Sequence, residues 1–390
     1  MEIKDYQKSL LSICSHALFS ECVIEPSLDA AVIDEAAKQT VLSLITGDLK
    51  DNSKAKFKAL NIAAKNMLIK NEHILLDKIM REATIPYVVL KGCASSAYYP
   101  EPILRTMGDV DFLVAPSDVV RACDALEKNG FTTNSKKTGL HYSYTKGNSV
   151  FELHFGINGI PKSEQGDIIK SYFTDIFEKS VQCAEGFMVP SHFHHGLIIL
   201  LHMVSHLVSE GFGLRHLCDW AVFVSDFQEN EFVEMFKEPL INVGLWKAAK
   251  LMTACSVKYL GAPNKEFAED IDDELIDALI EDIFTGGNFG YKQEGRSQQI
   301  KFIGERENRT VNNKTVMEQL FSTVNYKAKN TRIVRKSSLL LPLGWCEVAL
   351  KYFILLFKGE RNINNFSENI KTAKVRKRTY SKIELFKTNK

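Results

Sequence analysis

The sequence predicts an α+β protein: a small mixed α/β lobe, preceded by N-terminal helices and followed by a larger helical region. Three observations carry that prediction. Residues 1 to about 80 hold little Pro or Gly and repeat apolar residues at helical intervals. Short β-branched or aromatic runs then alternate with brief helical stretches to about residue 160. From His192 onward, long apolar helical patterns take over.

The clearest N-terminal helix is FKALNIAAKNMLIKNEHILLDKIMREA, where Leu60, Ala63, Ala64, Met67 and Leu68 recur three and four apart as the expected apolar face. Thr84-Ile85-Pro86 stops it. Tyr87 to Leu90 then reads as a buried strand, bounded by Pro86 and Lys91-Gly92. CASSAYY reads as a short helix ended by Pro100-Glu101-Pro102, and Val110 to Val114 as the next strand, with Asp109 at its mouth. Ser117 or Asp118 is expected to cap the helix VVRACDALEKNG, which Gly130 ends. A hairpin follows: His141 to Lys146, a turn at Gly147-Asn148, and Val150 to Phe155. Beyond it, HGLIILLHMVSHLV and LRHLCDWAVFVSDF read as helices, and residues 231 to 285 continue helical. The acids of FAEDIDDELIDALIEDIF are expected to form a solvated face. Thr285 to Gly295 reads as a Gly-rich loop that joins helices, with no strand before it to make a dinucleotide fingerprint. The expected units are N-terminal helices over 1–75, the α/β domain over 76–190, a helical domain over 191–357 and a basic tail over 358–390.

A formal net charge of +1 supplies no global field for nucleic acid. The eight cysteines are dispersed, without a CxxC pair, which suits a reduced, intracellular chain. MEIKDYQKSL has early acids and no apolar h-region, so no signal peptide is read there and the cytoplasm is the expected location. Leu339 to Phe357 is strongly apolar but carries Glu347 and Lys351, four apart and able to pair on one helix face. A core helix is the expectation. The alternative is a helix lying on a membrane surface, aided by Lys327, Lys329, Arg332, Arg335 and Lys336 before it. The tail after it would add to this, with nine Lys or Arg against two Glu from Arg361 to Lys390.

The chemistry concentrates in LKGCASSAYYPEPILRTMGDVDFLV. Asp109 and Asp111 are one residue apart on a strand, so their carboxylates share a face while Val110 points to the core. Two such acids repel unless a cation or a proton lies between them. Mg²⁺ takes carboxylate and phosphate oxygens together. A D-x-D pair alone often marks only a solvated strand end. Here a strand ending in Lys91-Gly92 precedes it, Arg105 lies just upstream, and Glu152 follows on a strand whose polar face it shares with His154.

That arrangement resembles the DNA-polymerase-β-like nucleotidyltransferase superfamily. It is closest to the uncharacterised nucleotidyltransferase family found in bacterial biosynthetic clusters. The matching motifs are Leu90-Lys91-Gly92, Tyr98-Tyr99-Pro100 with Pro102 and Arg105, Asp109-Val110-Asp111 with Leu113-Val114, and Glu152-Leu153-His154. Looser likenesses extend to about residue 357: the histidines at 202 and 206, Arg215 with Asp219, Gly287 to Gly290, and LLPLGW. The resemblance implies a metal-dependent enzyme that moves a nucleoside monophosphate from an NTP to an acceptor hydroxyl on a small molecule, peptide or protein. Asp109, Asp111 and Glu152 would hold Mg²⁺ or Mn²⁺. Backbone N–H groups after Gly92 would meet triphosphate oxygens. Lys91 and Arg105 would neutralise charge, Lys91 having as its alternative a structural pairing with Asp109. His154, His206 and Arg215 join the expected nucleotide site. The superfamily's usual Gly-Ser or Gly-Gly is Gly92-Cys93 here, so a phosphate-holding hydroxyl would come from Ser95 or Ser96.

The competing readings are an inactive nucleotide-binding or interaction module on the same fold, and a zinc hydrolase built on His202 and His206. That pair lacks the HExxH glutamate and an evident third ligand, so lining the cleft is the preferred role. Neither a G-x-S-x-G elbow nor a P-loop signature occurs.

Overall fold

The structure, a computed structural model, describes residues 3–20, 29–45, 53–133, 139–209, 211–290, 292, 316–334, 338–357 and 366–388. It is α+β. Helices α1 (Asp5–Phe19), α2 (Ala30–Lys38) and α3 (Ser53–Glu82) come first. Asp29 caps α2, its carboxylate accepting from the N–H groups of Ala31 and Val32 at 2.9 Å.

Helix α3 corrects the sequence expectation. Leu60, Ala64, Met67 and Leu68 are exposed. The buried face is instead Ala59, Asn66, Ile69, His73, Leu76 and Met80. That face has proper helical spacing, but two of its members are polar, so a hydrophobic pattern overlooks it. Asn66 is buried because its side chain donates to the carbonyls of Ile103 and Arg105 at 2.7 and 2.8 Å and accepts from Met107 N–H at 3.0 Å. It thereby fixes the segment leading into the D-x-D strand. Thr84, in the left-handed region at φ 55°, then turns the chain toward the sheet.

Four strands, β1 (Tyr87–Val89), β2 (Val110–Val114), β3 (His141–Lys146) and β4 (Ser149–His154), form a sheet in the order β1-β2-β4-β3. β2 runs antiparallel to β1 and parallel to β4, and β3 and β4 make the expected hairpin. Short helix α4 (Cys93–Ser96) follows β1, and α5 (Val119–Lys128) follows β2. No side-chain cap closes α5. Asp118 accepts from Arg121 Nη1 at 2.6 Å instead, after a 3₁₀ turn over Pro116–Asp118.

Strand alternation divides the sheet's two faces. Val110, Phe112, Val114, Phe151 and Leu153 join a core with Ile69, Leu76, Ile79 and Met80 of α3 and Ala122 and Leu126 of α5. Phe151 packs on Phe131 with ring centroids 4.4 Å apart. The opposite face carries Asp111, Leu113, Glu152 and His154. Leu113, with Val88 and Leu90, belongs to the second, larger core of the helical region.

That region contains α6 (Glu164–Ser171), α7 (His192–Leu207), α8 (Leu214–Ser225), α9 (Glu229–Asn242), α10 (Trp246–Leu260) and α11 (Asp273–Gly286). A small hairpin, β5 (Val181–Gln182) with β6 (Met188–Val189), lies between α6 and α7; strands of two residues leave no periodic signal. Helix α8 packs against α7 and α10, and buried Trp220 donates to Thr253 at 3.0 Å. On α11, Asp273 and Asp277 meet Lys258 at the surface, as a solvated acidic face does. Of the Gly-rich stretch, Thr285 and Gly286 belong to α11 and Asn288–Gly290 form a 3₁₀ turn. Lys292 pairs with both Glu35 oxygens at 2.8 Å. Residues 291 and 293–295 lie outside the described residues.

Helices α12 (Val316–Lys329), α13 (Leu341–Phe357) and α14 (Phe366–Ser381) complete the chain. The core helix expected over 339–357 is corrected. Leu343, Trp345, Leu350 and Ile354 of α13 are exposed, as is Leu339 before it. Glu347 and Lys351 pair as their spacing predicts. No helix among the described residues is long and apolar enough to cross a membrane. The described part of the basic tail packs onto the helical core. Ala373, Tyr380, Ile383 and Phe386 are buried there, and Arg376 pairs with Asp282 at 3.2 Å.

Candidate active site

The turn after β1 begins the site. Gly92 has φ 63° and ψ −115°, the first central position of a type II′ turn, closed by Ala94 N–H to the Lys91 carbonyl at 3.2 Å. A Cβ on Gly92 would lie 3.1 Å from His73 Nε2. Beneath it, His73 donates through Nδ1–H to the Ile69 carbonyl, 2.7 Å away, and burial lowers its pKa to about 4. Gly92→Ala is therefore expected to cost about 1–2 kcal/mol from the backbone alone. Chemical denaturation should show that loss in the Gly92→Ala single variant, and combining it with His73→Ala should recover only the steric part. Full recovery in the double variant would show that φ is not the constraint.

Cys93, next in the turn, points inward. Its sulfur lies 3.6 Å from His73 Nδ1 and 3.8 Å from Met107 Sδ, and burial pushes its thiol up to about 12. It is inert packing, and it borders the neighbouring cavity and not the one that Asp109 and Asp111 line. Ser95 lines the same cavity as Asp109 and Asp111. Ser96 does not: its hydroxyl donates to the Cys93 carbonyl at 3.1 Å and it lines a neighbouring cavity.

Asp109, Asp111 and Glu152 come together, with one carboxylate oxygen from each lying within 4.8 Å of the others. Parallel pairing sets this up, because Asp111 is the register partner of Glu152. Lys91 Nζ lies 3.3 Å from Asp111 Oδ1, so its ion pair goes to Asp111 and not to Asp109, the partner expected for a structural lysine. His154 Nε2 lies 2.9 Å from the same oxygen and 3.4 Å from Glu152 Oε2. Burial alone would raise the Asp111 pKa, but Lys91 and His154 hold it well below the usual carboxylate range. Burial works against the charged form of His154 too, yet its bonds to Asp111 and Glu152 leave its pKa raised. Asp109 is pushed up, by burial first and then by Asp111 and Glu152. Glu152 does not pair with Lys146, whose ammonium donates to the Asn129 carbonyl at 2.8 Å.

The raised pKa of Asp109 has a stability consequence. The folded state binds the Asp109 proton more tightly than the unfolded chain does, so stability falls as pH rises through that folded pKa. Asp109→Asn is expected to melt at a higher temperature than the native chain at pH 7 in chelator. The gap should close below the ordinary carboxylate value of about 3.9, where both states are protonated. A lower melting temperature for Asp109→Asn at pH 7 would contradict this.

Arg105 is buried and engages Asp219 of α8 through two bonds, Nε to Oδ1 at 2.7 Å and Nη2 to Oδ2 at 2.8 Å. Its Nη1 reaches the Gly92 carbonyl at 3.2 Å, and Tyr99 donates to Asp219 at 2.7 Å. This corrects the expectation that Arg105 faces phosphate: its fork is occupied, and it ties the Gly92 turn to α8. Arg215, one turn earlier on α8, lines the cavity and donates through Nη1 to the Thr106 carbonyl at 3.1 Å.

These elements enclose a cavity of about 350 Å³ between sheet and helices. Its sheet side carries Lys91, Asp109, Asp111, His141 and Glu152, and its helical side His202, His206, Arg215, His216 and Asp219. His202, His206 and His216 lie ring to ring, with centroids 4.5 to 5.8 Å apart. Burial holds His202 and His216 well below the usual histidine pKa. Among the described residues these three do not bring their nitrogens together as a metal group. A second, mostly apolar cavity of about 570 Å³ backs onto the other side of α4, lined by Tyr98, Phe187 and His195, and Met107 borders both.

Residues 41–261 match a family model described as an uncharacterised nucleotidyltransferase. The chain belongs to that family. No curated protein and no solved structure matches it. Nucleotidyl transfer is thus its general role. The match begins before residue 60 and stops at 261, short of the 357 expected from the looser motifs. Sequence reasoning missed His141 and His216 in this nucleotidyltransferase, and also Asn66 and His73 beneath its Gly turn. Only His141 left a usable signal: it opens the strand that pairs with β4, opposite His154.

Proposed function

We propose that this nucleotidyltransferase transfers a nucleoside monophosphate from an NTP to an acceptor hydroxyl and releases diphosphate, with Mg²⁺ or Mn²⁺ held by Asp109, Asp111 and Glu152. The observation that carries the reading is the convergence of three carboxylates, within 4.8 Å, beside a tight Gly turn. The donor set fits a hard cation: it is all oxygen, and the Asp109 pKa, raised by burial first, is raised further by the Asp111 and Glu152 charges, a repulsion that a cation relieves. When bound, a divalent ion there would supply positive charge to the α-phosphate and to the attacking oxygen. Asp109 and Asp111 would hold that ion. Glu152 completes the site and accepts the acceptor's hydroxyl proton. The acceptor oxygen then bonds to the α-phosphorus while the bond to the β-phosphate oxygen breaks, and its electron pair leaves with diphosphate. Lys91 and Arg215 balance phosphate charge from opposite walls. Arg105 acts as a positioning residue, through Asp219 and the Gly92 carbonyl.

Incubation with each α-labelled NTP, Mg²⁺ and cell metabolites, read by mass spectrometry, tests this. Nucleoside monophosphate adducts with stoichiometric diphosphate support it. Release of inorganic phosphate and a diphosphate nucleotide would replace it with hydrolysis.

The exposed apolar positions on α13 support a peripheral membrane contact, with Lys327, Lys329 and Arg332 close before it. Sedimentation with phosphatidylserine vesicles should retain the native chain and release Leu350→Glu. Equal partition of the two would remove α13 from any such contact.

A further inference from the structure

We propose that His141, Glu152 and His154 form a second cation site, selective for a borderline transition ion such as Zn²⁺ or Co²⁺ over Mg²⁺. The hairpin builds it. Antiparallel register sets His141 opposite His154, and Glu152 lies two residues before His154 on the same strand face. One donor atom from each of the three lies within 4.8 Å of the others. His141 Nε2 is 3.8 Å from Glu152 Oε1, and His154 Nε2 is 3.4 Å from Glu152 Oε2. Bonds of about 2.0–2.1 Å in a tetrahedral shell place neighbouring donors roughly 3.3 Å apart, so small side-chain adjustments close the shell.

The donor chemistry separates this site from its neighbour. Asp109, Asp111 and Glu152 offer oxygen alone, which suits Mg²⁺. Two imidazole nitrogens with one carboxylate suit zinc and the later first-row ions, and Mg²⁺ has little affinity for nitrogen. Glu152 belongs to both groups, so it is placed to bridge two unlike cations. His154 is buried whereas His141 and Glu152 are only partly so, which leaves an entry side facing the cavity. The inference shares Glu152 with the catalytic reading, and His154 Nε2 would exchange its 2.9 Å contact with Asp111 Oδ1 for the cation, but it requires no nucleotide and no turnover.

The test is Co²⁺ titration of the metal-free full chain, without nucleotide, read by visible d–d absorption and by Zn²⁺ competition. The native chain should bind Co²⁺ with an absorption typical of imidazole ligation, be displaced by Zn²⁺, and resist excess Mg²⁺. Loss of one ligand should weaken binding at least as much as the 10–100-fold typical of an outer-shell change. His141→Ala should therefore weaken Co²⁺ by about 100-fold or more, and His141→Gln likewise. Circular dichroism should show both folded, because His141 is a partly exposed strand residue. Asp109→Asn and His202→Ala should leave the cobalt spectrum in place. An unchanged spectrum and affinity in both His141 variants would overturn the site, as would loss of the signal in His202→Ala alone. Loss of NTP binding in Asp109→Asn, with the cobalt spectrum intact, would report on the catalytic reading and not on this one.

Discussion

Asp111→Asn is expected to remove nucleotidyl transfer almost completely. Asp111 is the most connected acid of the site: it lies against Lys91 and His154, and sits in register with Glu152. Its depressed pKa keeps it charged throughout the neutral range, ready to hold a cation. Asparagine preserves shape but removes that charge. If the cation supplies several kcal/mol to the transition state, losing a ligand costs most of it. A loss of about 4 kcal/mol corresponds to roughly a thousandfold in rate. Single-turnover kinetics on the variant, with circular dichroism to establish folding, measure this. The variant also loses its ion pair with Lys91 and its bond to His154. The stability they contribute is present above the ordinary carboxylate value and is lost as pH falls through the lower folded pKa. The native chain should therefore keep more stability than Asp111→Asn at pH 7, and the gap should shrink only in strong acid.

Asp219→Ala should destabilise the fold more than Gly92→Ala or Asp111→Asn does. It leaves the Arg105 guanidinium buried without its carboxylate and also strips the Tyr99 hydroxyl of its acceptor. Breaking a buried pair by removing one partner typically costs about 3–5 kcal/mol. Replacing both charged partners by apolar residues of similar volume, as in Arg105→Met with Asp219→Leu, should recover much of that. The double variant should still transfer poorly, because the Gly92 carbonyl loses its link to α8. Urea denaturation of the three proteins, alongside turnover, separates the two effects. Equal stability of Asp219→Ala and the native chain would show that solvent reaches Arg105 after all.

Much of the sheet was legible because its strands are bounded by strong punctuation. Pro86, Lys91-Gly92 and Gly147-Asn148 bracket short β-branched or aromatic runs. The convergence of Asp109, Asp111 and Glu152 follows from the two-residue period of side chains along a strand plus one parallel pairing. What failed to show is equally physical. Helix α3 buries Asn66 and His73, and a hydrophobic pattern does not anticipate a buried polar residue such as Asn66, whose partners lie 37 to 41 positions away. Arg105 read as a phosphate ligand because its partner, Asp219, lies on a helix more than a hundred residues later. The exposed side of α13 was hidden for the opposite reason: an apolar run reads as core whether or not anything covers it.

The most direct test of the metal–triphosphate site is the binding of each Mn²⁺–NTP complex to the native chain and to Asp111→Asn, followed by electron paramagnetic resonance. The native chain should bind at least one NTP tightly only with Mn²⁺ present, and Asp111→Asn should lose the metal-dependent part. Binding that is equally tight in chelator, and equal in the two proteins, would contradict it.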